Sequence, residues 1–196
     1  MAMPLGDDVL DRVFRTARTF NHYLDQPVGQ DQLRAIWDLL KWGPTSANQA
    51  PLRIVWCVGR DAKDRLAQYC SDTNAAKVRE APVTAILGMD MEFYERLPQL
   101  FPHADARSWF LGNAALIRES AFRNSTLQGA YFIVAARLLG LDCGPMSGFD
   151  TGKVTEAFFA GTPYQTNFIT TLGYGDPATL HARLPRLDFD DANQIV

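Results

Sequence analysis

The sequence has few cysteines and few histidines, and this scarcity argues against several kinds of site. Its 196 residues include three cysteines and three histidines, with no C-x-x-C pair and no H-E-x-x-H spacing. Disulfide frameworks and metal sites both need such residues in sets or pairs, so neither is indicated. We expect no bound metal and a cytoplasmic location, where isolated cysteines stay reduced.

Long apolar runs and an excess of positive charge are also missing. No run approaches the roughly 18 apolar residues of a membrane span, and no basic or apolar leader opens the chain. The formal net charge of -3 leaves no broad basic surface for nucleic acid. We therefore expect no membrane or nucleic-acid partner, and a single domain over residues 1–196.

What the sequence does contain is an alternation of helix and strand patterns. Apolar residues at helical spacing predict helices over 9–17, 33–40, 62–69, 125–139 and the residues after Asp150. Apolar runs predict strands over 54–58, 83–89 and 168–172. The mostly apolar circumference of the helix over 125–139 favours deep burial.

Two further segments have unusual compositions. Residues 93–110 are rich in aromatic side chains and interrupted by prolines, which suggests a lid; the alternative is that these aromatics simply pack on the core. Residues 176–196 are polar, with scattered leucines and a phenylalanine, and have little room to make a core of their own. We expect this tail to contact a partner subunit.

Two segments resemble functional motifs, but the residues around them do not fit those motifs. Gly173-Tyr174-Gly175 begins a match to G-x-G-x-x-A, but Pro177 and the short remaining chain are incompatible with a dinucleotide-binding βαβ unit. Ser147 follows a glycine by three positions, whereas a nucleophile elbow requires two. The chain therefore offers few catalytic groups of its own, which favours a bound cofactor.

Polar loops follow several of the predicted elements and share one chemistry. The loop from Pro44 to Pro51 is bounded by prolines and holds hydroxyl and amide side chains; alone, it could be an ordinary connection. Other loops of this kind span 18–21, 140–148 and 173–186. Arginines and hydroxyls suit a phosphate, amides suit the edge of a planar ring, and glycines permit close backbone approach.

With these loops the sequence resembles the nitroreductase-like flavoprotein family, from about Arg18 to Asp191. The resemblance is carried by the words KWGPTSAN at 41–48, EFYERLP at 92–98, DARSWF at 105–110 and GPMSGFD at 144–150. These longer words are most similar to the branch that reduces malonic semialdehyde in pyrimidine degradation.

The resemblance implies an α+β fold with a central, mostly antiparallel sheet flanked by helices. It also implies a homodimer that binds FMN non-covalently in a pocket made by both subunits. NADPH or NADH would pass a hydride to flavin N5, and malonic semialdehyde would then receive it in a ping-pong cycle, giving 3-hydroxypropanoate. The alternatives are a broad-specificity nitro or quinone reductase and a flavin-binding protein without an external acceptor.

The resemblance also assigns residues to the flavin. Arg18 is expected at the phosphate, joined by Arg186 or its rival Arg183, while Asn74 and Lys77 would be directed at the isoalloxazine ring. The full set of expected cofactor-binding residues is Arg18, Thr19, Asn21, Thr45, Ser46, Asn48, Asn74, Lys77, Gly144, Pro145, Met146, Gly173, Arg183 and Arg186. Asn21 stands where many relatives have a second arginine. No catalytic side chain is assigned, because the flavin would carry the hydride.

Two arginines are candidates for the carboxylate of the semialdehyde. A guanidinium can bind a carboxylate with two parallel hydrogen bonds, which favours Arg107 in the aromatic segment, with Arg123 second. The alternative for Arg107 is a surface ion pair with Asp105 or Glu95. Substrate binding and ion pairing are equally compatible with the sequence at this position.

Overall fold

A four-stranded antiparallel sheet forms the centre of the computed structural model, which describes residues 3–196 and so leaves the first two residues of the predicted domain outside its range. The strands are β1 Leu52–Cys57, β2 Val83–Asp90, β3 Asp142–Met146 and β4 Tyr164–Gly173, in the order β1-β2-β4-β3. The predicted strands are confirmed within a few residues. β3 was missed, because its five residues include a glycine and Pro145, which only an edge strand tolerates.

Helices cover the sheet and connect its strands. They are α1 Asp7–Leu10, α2 Gln30–Leu40, α3 Arg60–Ala67, α4 Asp72–Glu80, α5 Leu97–Leu100, α6 Ala114–Leu138, α7 Thr151–Phe159 and α8 Phe189–Ala192. A π-helical turn, Asp11–Arg15, continues α1. α4 was not predicted, because only two of its nine residues are buried and its apolar periodicity is weak. Within residues 3–196, no helix is long and apolar enough to cross a membrane.

The long helix α6 corrects the prediction in both length and burial. It begins at Ala114 rather than near 125, and the Asn113 side chain caps it by accepting from the Leu116 amide at 3.0 Å. Apart from Phe132, the face against the sheet carries small and polar residues, because space there is limited: a Cβ added to Gly129 would lie 2.6 Å from the Phe168 ring. The buried residues are Ala121, Asn124, Ser125, Gln128, Gly129, Phe132, Ala135 and Ala136.

Several large apolar side chains of α6 point away from the sheet, so the expectation of deep burial was wrong for them, although Phe132 is buried in the core. Leu127, Tyr131 and Leu138 are 47%, 42% and 50% exposed, and Leu116 is 37% exposed. These four residues, which we call the outer stripe, lie at helical spacing on one face. A row of exposed apolar side chains is typical of a surface that contacts another protein.

The aromatic segment 93–110 folds back on itself and buries part of its side chains. Phe93 and Phe110 meet edge to face with their ring centroids 4.8 Å apart, in a cluster with Leu97 and Ala106. Packing on the core is therefore observed for these aromatics, as the alternative expectation stated. The role of the segment as a lid stays a prediction.

Candidate functional site

A cavity of about 630 Å³ lies between the loop at 18–21 and the C-terminal segment. Its wall contains four arginines and no carboxylate side chain, in a protein whose net charge is -3. The lining residues are Phe14, Ala17, Arg18, Thr19, Asn21, Arg137, Thr179, Leu180, His181, Ala182, Arg183, Leu184 and Arg186. We call it the arginine cavity. Its charge and hydroxyl groups suit a phosphate or another small anion.

The arginines of this cavity are held by neutral partners. Arg18 donates from Nη2 to the carbonyl oxygen of His181 at 2.6 Å, and Arg183 donates from Nη2 to that of Ala17 at 2.7 Å. Arg186 donates from Nη1 to two carbonyl oxygens of its own segment. Carbonyl oxygens orient a guanidinium without neutralising it, so the positive charge stays available to a ligand.

The loop at 18–21 runs beside the edge strand β3. Thr19 forms a parallel bridge with Cys143, whose carbonyl oxygen accepts from the Phe20 amide at 3.1 Å. A Cβ on Gly144 would lie 2.3 Å from the Phe20 carbonyl oxygen and 2.4 Å from Thr171 Oγ1. Contacts within the chain therefore require glycine at position 144. The predicted approach of Gly144 to the flavin stays a prediction.

Burial raises the pKa of two ionisable groups near β3. Burial raises the pKa of the Cys143 thiol to about 12. It also raises the pKa of Tyr23 far above its ordinary value, and the phenol lies 2.7 Å from Thr171 Oγ1. Because both groups remain protonated at neutral pH, neither offsets the charge of the arginine cavity.

The far end of β3 reaches α4. Asn74 donates from Nδ2 to the Gly148 carbonyl oxygen at 3.2 Å, and Lys77 lies one turn later on the same face of α4. Gly173 ends β4 opposite Asp142. The structure thus gathers one set of candidates around β3, the β3 group: Arg18, Thr19, Asn21, Asn74, Lys77, Gly144, Pro145, Met146, Gly173, Arg183 and Arg186.

The remaining cofactor candidates, Thr45, Ser46 and Asn48, form a second set, the loop group. Ala47, Asn48 and Ala50 adopt left-handed φ angles of 47°, 50° and 39°. Thr45 Oγ1 accepts from the Ala50 amide at 3.1 Å, and Asn48 donates from Nδ2 to the Leu100 carbonyl oxygen at 2.9 Å. The Ser46 and Asn48 side chains are exposed, so this loop directs polar groups outward.

The loop group lies far from the arginine cavity in one protomer. The Ser46 amide donates to Asn124 Oδ1 at 2.8 Å, whereas Arg137 lines the arginine cavity. Asn124 and Arg137 are thirteen positions apart on α6, which is about 20 Å along the helix. The fold therefore does not bring the loop group to the arginine cavity within a single chain.

Both substrate-binding candidates are ion-paired at the surface. Arg107 donates to the two carboxylate oxygens of Glu95, from Nε at 2.7 Å and from Nη2 at 2.8 Å. This contact lowers the pKa of Glu95 below its ordinary value. Arg123 pairs with Glu119, one turn earlier on α6. The ion pair expected as the alternative for Arg107 is present, so a substrate carboxylate would have to displace Glu95 or bind beside it.

Arg137 and His181 were not anticipated as lining residues. A basic residue in the last turn of a helix is common because it compensates the helix dipole, so Arg137 gave no distinct signal. The fold alone shows that it turns toward the N-terminal helices, where Nη1 donates to the Val13 carbonyl oxygen at 2.9 Å. In the part of the chain that the structure describes, no cluster of His, Cys, Asp and Glu could hold a metal ion.

Comparisons with known proteins agree on one family. The profile of the Nitroreductase family matches residues 15–174. A relative from Burkholderia lata is 59% identical over 191 residues, which cover 97% of this chain and 98% of the relative. Another relative, from Stenotrophomonas maltophilia, is 55% identical over 195 residues, which cover 100% of both chains. Both carry the provisional name NADH dehydrogenase/NAD(P)H nitroreductase.

A solved structure shows the same fold. A provisionally named nitroreductase from Exiguobacterium sibiricum, crystallised in complex with FMN, superposes with a TM-score of 0.85 at 18% identity and covers 100% of both chains. The expected α+β fold, with an antiparallel sheet flanked by helices, is confirmed by this likeness and by the strand pairing described above.

Proposed function

Because the chain belongs to the nitroreductase family, we propose that it is an NAD(P)H-dependent oxidoreductase that uses FMN. The observation that carries this proposal is the arginine cavity, whose wall holds four arginines and no carboxylate side chain. The NAD(P)H nitroreductase names of two relatives and the FMN of the Exiguobacterium protein support it.

The residues present fit the cofactor by their chemistry. Arg18, with Arg183 or Arg186, would hold the phosphate, and Arg137 would supply the cation that Asn21 lacks. Asn74 and Lys77 would fix the polar edge of the ring. When bound, FMN supplies hydride transfer from NADPH or NADH to an acceptor. The contribution of the chain is to bind, orient and partly desolvate the reacting molecules.

We propose further that the site is completed by a second copy of the chain. The loop group and the arginine cavity are about 20 Å apart along α6, so one protomer does not join them. The outer stripe adjoins this loop, since a Cβ on Gly43 would lie 2.8 Å from the Tyr131 ring. A partner seated on the stripe would therefore lie beside the loop and could bring its own arginine cavity to it.

The C-terminal tail is a second contact that we propose for the dimer. Leu187, Phe189 and Ile195 are 76%, 60% and 87% exposed, although leucine, phenylalanine and isoleucine are usually buried. The tail begins on its own chain, at the arginine cavity, and residues 187–196 extend beyond it. Contact with a partner would remove these side chains from water.

Malonic semialdehyde is the acceptor that we propose, with Arg107 as the partner of its carboxylate. The segment that carries Arg107 is joined to the loop group through Asn48 and Leu100, so in the proposed dimer it would lie on the loop side of the site. Reduction of nitro compounds or quinones is the second candidate, favoured by the names of the relatives. A protein that binds flavin without an external acceptor is the third.

An anaerobic titration separates these candidates. The purified protein should show an FMN spectrum that NADPH or NADH bleaches, and malonic semialdehyde should restore it faster than a nitroaromatic or a quinone. Faster recovery with the nitro compound or quinone would replace the proposed acceptor. If the protein is yellow but neither nucleotide bleaches it, the proposed reductase activity is excluded. If the protein does not bind FMN, the whole proposal is excluded.

A further inference from the structure

A network of polar groups that includes two buried amides lies beneath the loop group. Asn124 is 2% exposed and Gln49 is completely buried. Asn124 accepts from the Ser46 amide at 2.8 Å and donates from Nδ2 to the Ser120 carbonyl oxygen at 2.9 Å. Gln49 donates from Nε2 to the Ser46 carbonyl oxygen at 3.0 Å, and Ser120 Oγ lies 3.0 Å from the same Nε2. The network therefore ties the loop to α6.

This network fixes the residue that precedes a disfavoured turn. Ser46 has its amide held by Asn124 and its carbonyl oxygen held by Gln49, and the left-handed Ala47 and Asn48 follow directly. Residues with a Cβ disfavour this region, so such a turn persists only where its surroundings impose it. The buried amides are the surroundings that impose it here.

An amide at position 124 is not explained by packing alone. Burying an amide is unfavourable unless it is hydrogen-bonded, and an apolar side chain would fill the same place without this requirement. Gln128, one turn later, offers a comparison: its Oε1 accepts from the Leu52 amide at 2.9 Å, where β1 begins. α6 thus carries two buried amides, one bonded to the loop and one bonded to the sheet.

We propose that Asn124 is a positioning residue for the flavin. Together with Ser120 and Gln49, it holds the left-handed turn in the conformation that presents the Ser46 and Asn48 side chains to the cofactor. This inference rests on the proposed function, because it requires the loop group to contact FMN. Without the network the free loop relaxes to ordinary φ angles, and FMN binding must then order it again at a cost in affinity.

The test compares Asn124→Ala with its matched control Gln128→Ala. Each variant removes one buried amide that accepts from one backbone N–H, so both should lower Tm by similar amounts. FMN affinity, measured by fluorescence titration of the apoprotein, should fall about 10- to 100-fold in Asn124→Ala and stay within about twofold in Gln128→Ala. Hydrogen exchange of the peptide over 44–51 should accelerate only in Asn124→Ala.

Equal FMN affinities in the two variants, with unchanged exchange over 44–51, would overturn the inference while leaving the proposed function intact. A wild-type protein that binds no FMN would overturn both. If Asn124→Ala does not fold, Ser120→Ala tests the same inference, because it removes only the hydroxyl that holds Gln49. That variant should lose several-fold in FMN affinity, and an unchanged affinity would contradict the positioning role.

Discussion

The β3 group and the loop group are held by different means. The β3 group is built on an edge strand and a facing loop, with backbone ladders and close glycine contacts, and its arginines provide charge. The loop group is a left-handed turn whose shape depends on buried amides of α6. Substitutions in the first group should therefore act through charge, whereas substitutions near the second should act through conformation or assembly.

The largest effect is expected from breaking the contact that would join the two groups. Leu127→Glu combined with Tyr131→Glu places two carboxylates on the outer stripe, and burying unpaired charges at an interface is strongly unfavourable. We expect a monomer by sedimentation equilibrium, together with loss of bound FMN. Ala160→Glu adds a charge at the exposed end of α7 and is the control. A dimer that retains FMN would show that the stripe is not the interface.

The charge of the β3 group is tested by Arg18→Ala. Removing this guanidinium should weaken FMN binding by about tenfold or more, because hydrogen bonds to charged groups contribute roughly 1.5–3 kcal/mol. Arg183→Ala and Arg186→Ala, measured in the same titration, identify which of them reaches the phosphate. Arg60→Ala is the control, since Arg60 is 92% exposed outside the cavity. Unchanged affinity in Arg18→Ala would exclude it from the phosphate site.

Substrate recognition on the loop side is tested by Arg107→Ala. Loss of the guanidinium should raise KM for malonic semialdehyde by about tenfold while FMN occupancy stays unchanged. Arg123→Ala is the rival variant, and the one that raises KM identifies the carboxylate partner. If both variants leave KM unchanged in steady-state assays, neither arginine binds the substrate carboxylate.

The smallest effect is expected from the ion pair itself. Because Arg107 lowers the pKa of Glu95 in the folded state, the pair stabilises the protein above the ordinary carboxyl pKa of 4.5. That contribution disappears as the pH falls through the lowered value. Thermal unfolding of Glu95→Gln should therefore show a slightly lower Tm than wild type near neutral pH, with the two curves converging in acid. A difference that grows in acid would contradict this assignment.

The sequence predicted the main strands and the helices with clear apolar periodicity, but it could not show which side of α6 is buried. Periodicity identified Leu127, Tyr131 and Leu138 as one face and assigned that face to the interior. The face of α6 that packs against the sheet is instead the one with Gly129 and the alanines, because only small side chains fit against Phe168. An apolar stripe in the sequence therefore need not indicate burial within the protomer.

The sequence supplied candidate site residues by their chemistry, but it could not show how they are arranged. Arg18 and the loop from 44 to 51 were recognised by their chemistry and by the family resemblance. The Ser46 bond to Asn124 and the Arg18 bond to His181 join positions that are far apart in sequence. Such contacts follow from the fold, and no local pattern encodes them. For the same reason the separation of the candidates into two groups became visible only in three dimensions.

In the proposed dimer, each site takes its loop group from one protomer and its β3 group from the other. Mixing two inactive variants tests this directly: Arg18→Glu damages the β3 group, and Ser46→Glu damages the loop group. In a shared site, each mixed dimer has one site with both defects and one with none. NADPH oxidation should then recover to about a quarter of the wild-type rate after subunit exchange. No recovery, with mixed dimers confirmed by mass, would place both groups in one chain and contradict the account.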